Sequence, residues 1–143
     1  HGALYHRVGT NEALAIAVSR ALAAEWPHLF LYAAAGSLLT SIAENEGLRV
    51  IPEAFTDRRY HESGELVSRT EANAIIGATD EAAAQAYEIA HHNATKTISG
   101  KQIPIYAETL CVHGDGPVSF EIIQAIRSLL TFEGIHITRP IHH

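Results

Sequence analysis

Three groups of polar side chains in this sequence could do chemistry. The first is His113-Gly114-Asp115-Gly116-Pro117. An imidazole can shuttle a proton near neutral pH, and a nearby carboxylate can orient it or act as a base. The glycines let backbone amides approach a ligand, and a helix starting at Pro117 favours negative charge at its first turn. The same residues also read as a tight turn whose aspartate only satisfies a helix start. The second group is Glu53, Asp57, Arg58, Arg59 and Arg69. A guanidinium grips a carboxylate or phosphate through paired hydrogen bonds, so this segment points to an anionic substrate. The competing reading is an exposed loop laced with weak ion pairs. The third candidate is His1, which would sit at a strand end if a strand precedes it.

The surrounding pattern predicts the elements that position these groups. Thr10 is the expected N-cap of a helix over residues 11–25, with Leu14, Val18 and Ala21 at helical spacing. Pro27 cannot continue that helix. Residues 28–32 read as a buried strand and residues 33–36 as a small-residue loop. Ser37 is the expected cap of a helix to about Glu46, with Gly47 at its C′ position. Residues 48–51 read as a strand, and residues 53–69 as a long polar loop of the kind that carries function. Thr79-Asp80-Glu81 opens a helix to His91 or His92. Residues 93–100 read as a linker and residues 105–112 as a strand. After Pro117, Val118, Ile122, Ala125 and Leu129 form an apolar helix face ended by Gly134. Residues 135–138 read as a last strand. This alternation predicts an α/β fold with parallel strands alternating with helices, as a single domain over residues 1–143. In such folds the carboxyl ends of the strands share one face, and the polar groups follow predicted strands.

Composition sets further bounds. The chain has 143 residues, 47% hydrophobic and 18% charged, which fits a globular core. A net charge of −6 argues against a nucleic-acid or anionic-membrane surface. The longest stretch without Asp, Glu, Lys or Arg, residues 26–43, is broken by Pro27, Gly36 and several polar residues, so it is no membrane span. The single cysteine, Cys111, cannot form an internal disulfide, and with no signal peptide a cytoplasmic location is expected. The 10 histidines include no His-Glu-x-x-His, and no Cys-x-x-Cys pair is present, so the spacing supports no compact local metal site, while His1 and His113 could meet a metal with ligands from elsewhere. No Gly-x-x-x-x-Gly-Lys-Ser/Thr phosphate loop, Gly-x-Gly-x-x-Gly or Gly-x-Ser-x-Gly motif occurs. The sequence contains no methionine, which predicts a fragment of a longer protein, and His142-His143 reads as a tag remnant.

Three ordered motifs then carry a resemblance. They are His1-Gly2-Ala3-Leu4-Tyr5; Glu53-Ala54-Phe55-Thr56-Asp57-Arg58 with Tyr60, Gly64-x-Leu66-Val67 and Arg69; and Cys111-Val112-His113-Gly114-Asp115. Together they resemble the LamB/YcsF family across essentially the whole chain. The resemblance implies a distorted (β/α) barrel similar to polysaccharide deacetylases, of which residues 1–143 would be the C-terminal portion. It implies a cytoplasmic component of an ATP-dependent 5-oxoprolinase. Such an enzyme opens the lactam of 5-oxo-L-proline to L-glutamate, with ATP as co-substrate and two other subunits as partners. It further implies His113 and Asp115 as acid–base residues, His1 as a polarising or positioning group, and Glu53 and Asp57 as carboxylates that orient groups or bind metal. Arg58 or Arg69 would hold a carboxylate or phosphoryl group, with Tyr5, Tyr60 and Gly114 also lining the substrate. The family's upstream Asp-x-Asn-Cys-Asp-like and His-Ala-Gly-Asp segments are not in this sequence. His6 and Ser68 stand where asparagine and proline are common. The alternatives are a metal-dependent deacetylase or amidohydrolase acting on another small amide or sugar, and an inactive truncated assembly piece.

Overall fold

The computed structural model describes residues 1–140, and the reading of His142-His143 as a tag remnant falls outside them. Helix α1 spans Ala3–Thr10, α2 Glu12–Glu25, α3 Leu38–Asn45, α4 Thr79–His92 and α5 Ser119–Phe132. Strand β1 spans Phe30–Ala34, β2 Arg49–Phe55, β3 Ala94–Lys96, β4 Gln102–Pro104 and β5 Thr109–Cys111. The fold is mixed α/β, with a sheet of order β1-β2-β5 and a separate β3-β4 hairpin. No helix among the described residues is long and apolar enough to cross a membrane. The chain forms two compact units, one from His1–Ala54 with Ile105–Thr109, the other from Phe55–Pro104 with the residues from Leu110 onward.

In the first unit, α1 occupies residues that the sequence pattern left without an element. Thr10 does not cap the next helix. Its hydroxyl donates back to the His6 carbonyl inside α1 at 3.2 Å, so it is spent there. Asn11 caps instead, its side-chain oxygen accepting the Leu14 N–H at 2.9 Å. Ala33 and Ala34, expected in a loop, continue β1, because parallel pairing with β2 carries on through Ala33↔Pro52 and Ala34↔Glu53. Gly47 ends α3 as expected, at φ +84°, where any side chain is strained. The following Leu48 N–H donates to the Ala43 carbonyl and closes the helix end. Val8, Ala15, Ala33, Leu39, Ala43 and Leu48 form the core of this unit.

In the second unit, Ile76, Ala82, Ala83 and Ala86 pack with Ile122, Ile126 and Leu130, joining α4 to α5. Residues 93–100, expected as a linker, contain β3. Asn93 takes the left-handed conformation at φ +51°, and the chain turns back through Gly100 at φ +85° into antiparallel β4. Residues 105–112 give only a three-residue strand, β5. Pro117 precedes α5 rather than opening it. Residues 135–138 form no strand. Gly134 at φ +75° ends α5, and the Ile135 N–H donates to Leu130, which folds Ile135 onto the core as a helix stop. The first part of the expected loop is not solvated, whereas Glu62, Ser63, Glu65, Ser68 and Arg69 are exposed. Residues 53–55 belong to β2, and Thr56, Asp57, Arg58 and Tyr60 are buried.

Candidate functional site

The candidate residues of the first unit meet at the end of β2. Parallel pairing with β1 fixes the Glu53 backbone, whose carbonyl also accepts the Ala35 N–H at 2.9 Å. The Glu53 carboxylate is almost buried. Its Oε2 accepts the Tyr5 hydroxyl at 2.8 Å and lies 2.9 Å from His1 Nε2. Helix α1 presents Tyr5 so that its ring meets that of His1 edge-on, with centroids 4.6 Å apart. A carboxylate accepts, so it orients both the imidazole and the phenol. Three expected site residues, His1, Tyr5 and Glu53, are therefore brought together.

In the second unit, Asp57 and His113 form the other group. Asp57 Oδ2 accepts the His113 backbone N–H at 2.8 Å, and His113 Nδ1 lies 3.0 Å from each carboxylate oxygen. Asp57 is 6% exposed. Since a carboxylate only accepts, Nδ1 carries the proton of this bond and Nε2 is the basic nitrogen of the neutral ring. The Thr56 N–H and hydroxyl both donate to the Cys111 carbonyl, at 3.0 and 3.2 Å, which fixes the two segments in register. The Phe55 ring stacks on the imidazole at 5.5 Å and 17°. Nothing in the sequence around Phe55 signals this contact, which exists only once the strand is formed.

The expected pairing of His113 with Asp115 is not formed. Asp115 is exposed and bonds Arg69 Nη1 at 3.0 Å. That hydrogen bond, with the backbone amide and the Arg69 charge, holds the Asp115 carboxyl below its usual pKa. The tight turn at residues 113–116 explains why. Ser119 Oγ donates to the His113 carbonyl at 2.7 Å and accepts the Gly116 N–H at 3.1 Å, while Asp115 points outward. A Cβ on Gly116 would stand 3.0 Å from that oxygen, whereas Gly114 faces open space.

The two arginines differ. Arg69 is partly exposed beside Asp115. Arg58 is 3% exposed and donates from Nη2 to the Val67 carbonyl at 2.6 Å. Its pKa is lowered, first by burial and then by the Arg69 charge, against the pull of Asp57 and Tyr60. Its Nε is buried with no hydrogen-bond partner. Tyr60, expected to line the substrate, is turned inward, its oxygen accepting the Phe55 N–H at 2.7 Å.

The model of the LamB/YcsF family matches residues 1–143. A 5-oxoprolinase subunit from Mycolicibacterium gilvum (strain PYR-GCK) is 42% identical over 135 residues, covering 94% of this chain and 54% of that protein. A 5-oxoprolinase subunit from Staphylococcus carnosus (strain TM300) is 41% identical over 139 residues, covering 97% and 55%. Among solved structures, a lactam utilization protein from Thermus thermophilus superposes with a TM-score of 0.83 at 33% identity, covering 94% of this chain and 53% of that one. The chain spans about half the length of the curated relatives it matches.

Proposed function

The chain belongs to the LamB/YcsF family, and on that premise we propose that it serves ATP-dependent opening of the 5-oxo-L-proline lactam to L-glutamate. It does so in the cytoplasm together with two partner subunits. The observation that carries this reading is that relatives 41% and 42% identical across nearly all of the chain share one name, that of a 5-oxoprolinase subunit.

The side chains support the reading chemically. In lactam opening, a water oxygen bonds to the ring carbonyl carbon and the carbon–nitrogen bond breaks. The water's proton must leave, and the departing nitrogen must gain one. The Asp57–His113 pair suits this traffic. Asp57 fixes the ring through Nδ1–H, and Nε2 takes the proton from water and returns it to the nitrogen. Asp57 thus takes the place that adjacency suggests for Asp115. His1 and Tyr5, held by Glu53, are donors suited to polarising or positioning a carbonyl. Arg69 is the guanidinium suited to a substrate carboxylate or a phosphoryl group, with Asp115 as the anion it holds meanwhile. Arg58, buried and bonded to the Val67 carbonyl, is the less suited of the two to grip a substrate anion. Gly114 leaves the space beside the turn open. ATP is the co-substrate that drives an unfavourable hydrolysis. The lack of a phosphate-loop motif in this sequence agrees with ATP being handled largely with the partners.

The test is 5-oxoproline-dependent ATP hydrolysis with partner subunits supplied, run beside a metal-dependent deacetylase assay on small acetylated sugars. Glutamate and ADP formed together support the reading. Deacetylation without lactam opening replaces it with an amidohydrolase acting on another small amide.

A further inference from the structure

Gln85 is a polar residue in the alanine-rich run of α4, and it is 9% exposed. Its Nε2 lies 2.9 Å from the Phe55 carbonyl, 2.8 Å from that of Arg58 and 3.3 Å from that of Thr56. Three acceptors around one atom require the amide nitrogen there, since an amide oxygen would face only lone pairs. Its two hydrogens serve the two short contacts, with the third shared.

These carbonyls are not arbitrary. They flank Asp57 on both sides, and the first belongs to the residue whose ring stacks on His113. The carbonyl of Asp57 itself accepts the Ile76 N–H at 2.9 Å. Four consecutive carbonyls, from Phe55 to Arg58, are thus tied by α4 and the segment before it. Beyond the end of β2 at Phe55 the backbone is held by the Thr56 N–H on the Cys111 carbonyl and by one isolated antiparallel bridge, Arg58↔Ile75, and neither supplies a donor to the Phe55, Thr56 or Arg58 carbonyl. Without Gln85 at least two buried carbonyls would lack these donors, and the segment would relax to recover partners.

We infer that Gln85 is a positioning residue that holds Asp57, and through it the His113 imidazole, in reacting register. Its catalytic consequence rests on the proton-transfer reading given above, whereas the positioning itself is testable without turnover.

The experiment is NMR on this chain as wild type, Q85L, Q85E and I126A. The last removes apolar contact in the same core and serves as the control for general loosening. The readouts are amide exchange at His113 and its ring nitrogen shifts, which report the tautomer. Folded Q85L or Q85E is expected to exchange the His113 amide at least about tenfold faster than I126A does and to move the ring nitrogens. A folded variant with His113 unchanged overturns the inference. Should both variants unfold, the wild type decides through hydrogen-bond couplings from the Gln85 side-chain nitrogen. Couplings to the Phe55 and Arg58 carbonyl carbons are expected, and their absence overturns it. If positioning is seen but replacing His113 leaves lactam opening intact, the functional reading fails and the positioning stands.

Discussion

Replacing Asp57 by asparagine (D57N) separates the two jobs that this carboxylate does. In the wild type it accepts a backbone N–H at 2.8 Å and a ring N–H at 3.0 Å from one residue, His113, while buried. Hydrogen bonds to a charged group contribute roughly 1.5–3 kcal/mol each. Asparagine keeps one accepting oxygen and turns a donor toward the other partner. With the oxygen at the Oδ2 position, where it keeps the backbone N–H, the new NH2 stands at the Oδ1 position 3.0 Å from Nδ1 and favours the ring tautomer with a lone pair at Nδ1 and its proton on Nε2. The expected cost in stability is one such bond plus a partly mismatched contact, about 2–4 kcal/mol. The expected cost in turnover is larger, on the order of 10²–10⁴, because the wrong tautomer leaves no base facing the water. Chemical denaturation gives the first number. Single-turnover lactam opening with the partner subunits gives the second. A D57N protein with unchanged stability and wild-type turnover would refute both the geometry and the role drawn from it.

Other substitutions test the frame around the pair. Asn93 ends α4 in the left-handed region at φ +51°, so N93A is expected to lose about 1 kcal/mol in denaturant unfolding, while N93G holds or gains stability. Asn11→Ala removes the acceptor for the Leu14 N–H and is expected to cost about 1 kcal/mol, whereas Thr10→Ala costs less because Thr10 caps nothing. The Asp115 carboxyl is expected to titrate below the ordinary aspartate value of about 3.9 by carbon NMR, and to return toward it in R69A. Since the folded value is the lower one, any stability from this pair is present above the ordinary aspartate range. It fades as the pH falls through the depressed folded value.

Much of the frame was legible because it depends on local chemistry. Gly47 and Gly134 stand where helices need a left-handed stop, and Thr79-Asp80-Glu81 opens a helix whose first turn favours acids. What stayed illegible depends on partners far away in sequence. Thr10 and Asn11 are both good caps, and only the presence of α1 decides between them. The short β3-β4 hairpin has too few residues for a period to show. Residues 53–58 look like a polar loop, yet tertiary bonds bury them. The Asp57 carboxylate meets a residue 56 positions away, whereas Asp115 looked the natural partner of His113 merely by adjacency. Gln85 gave no signal at all, because a lone amide in an alanine-rich helix reads as solvent-facing.

The most direct test of the central claim is 5-oxoproline-dependent ATP hydrolysis and glutamate formation by His113→Gln, with partner subunits present and folding checked by circular dichroism. The account predicts a folded protein whose coupled turnover falls by about 10²–10⁴. A folded variant that forms glutamate at the wild-type rate would contradict it.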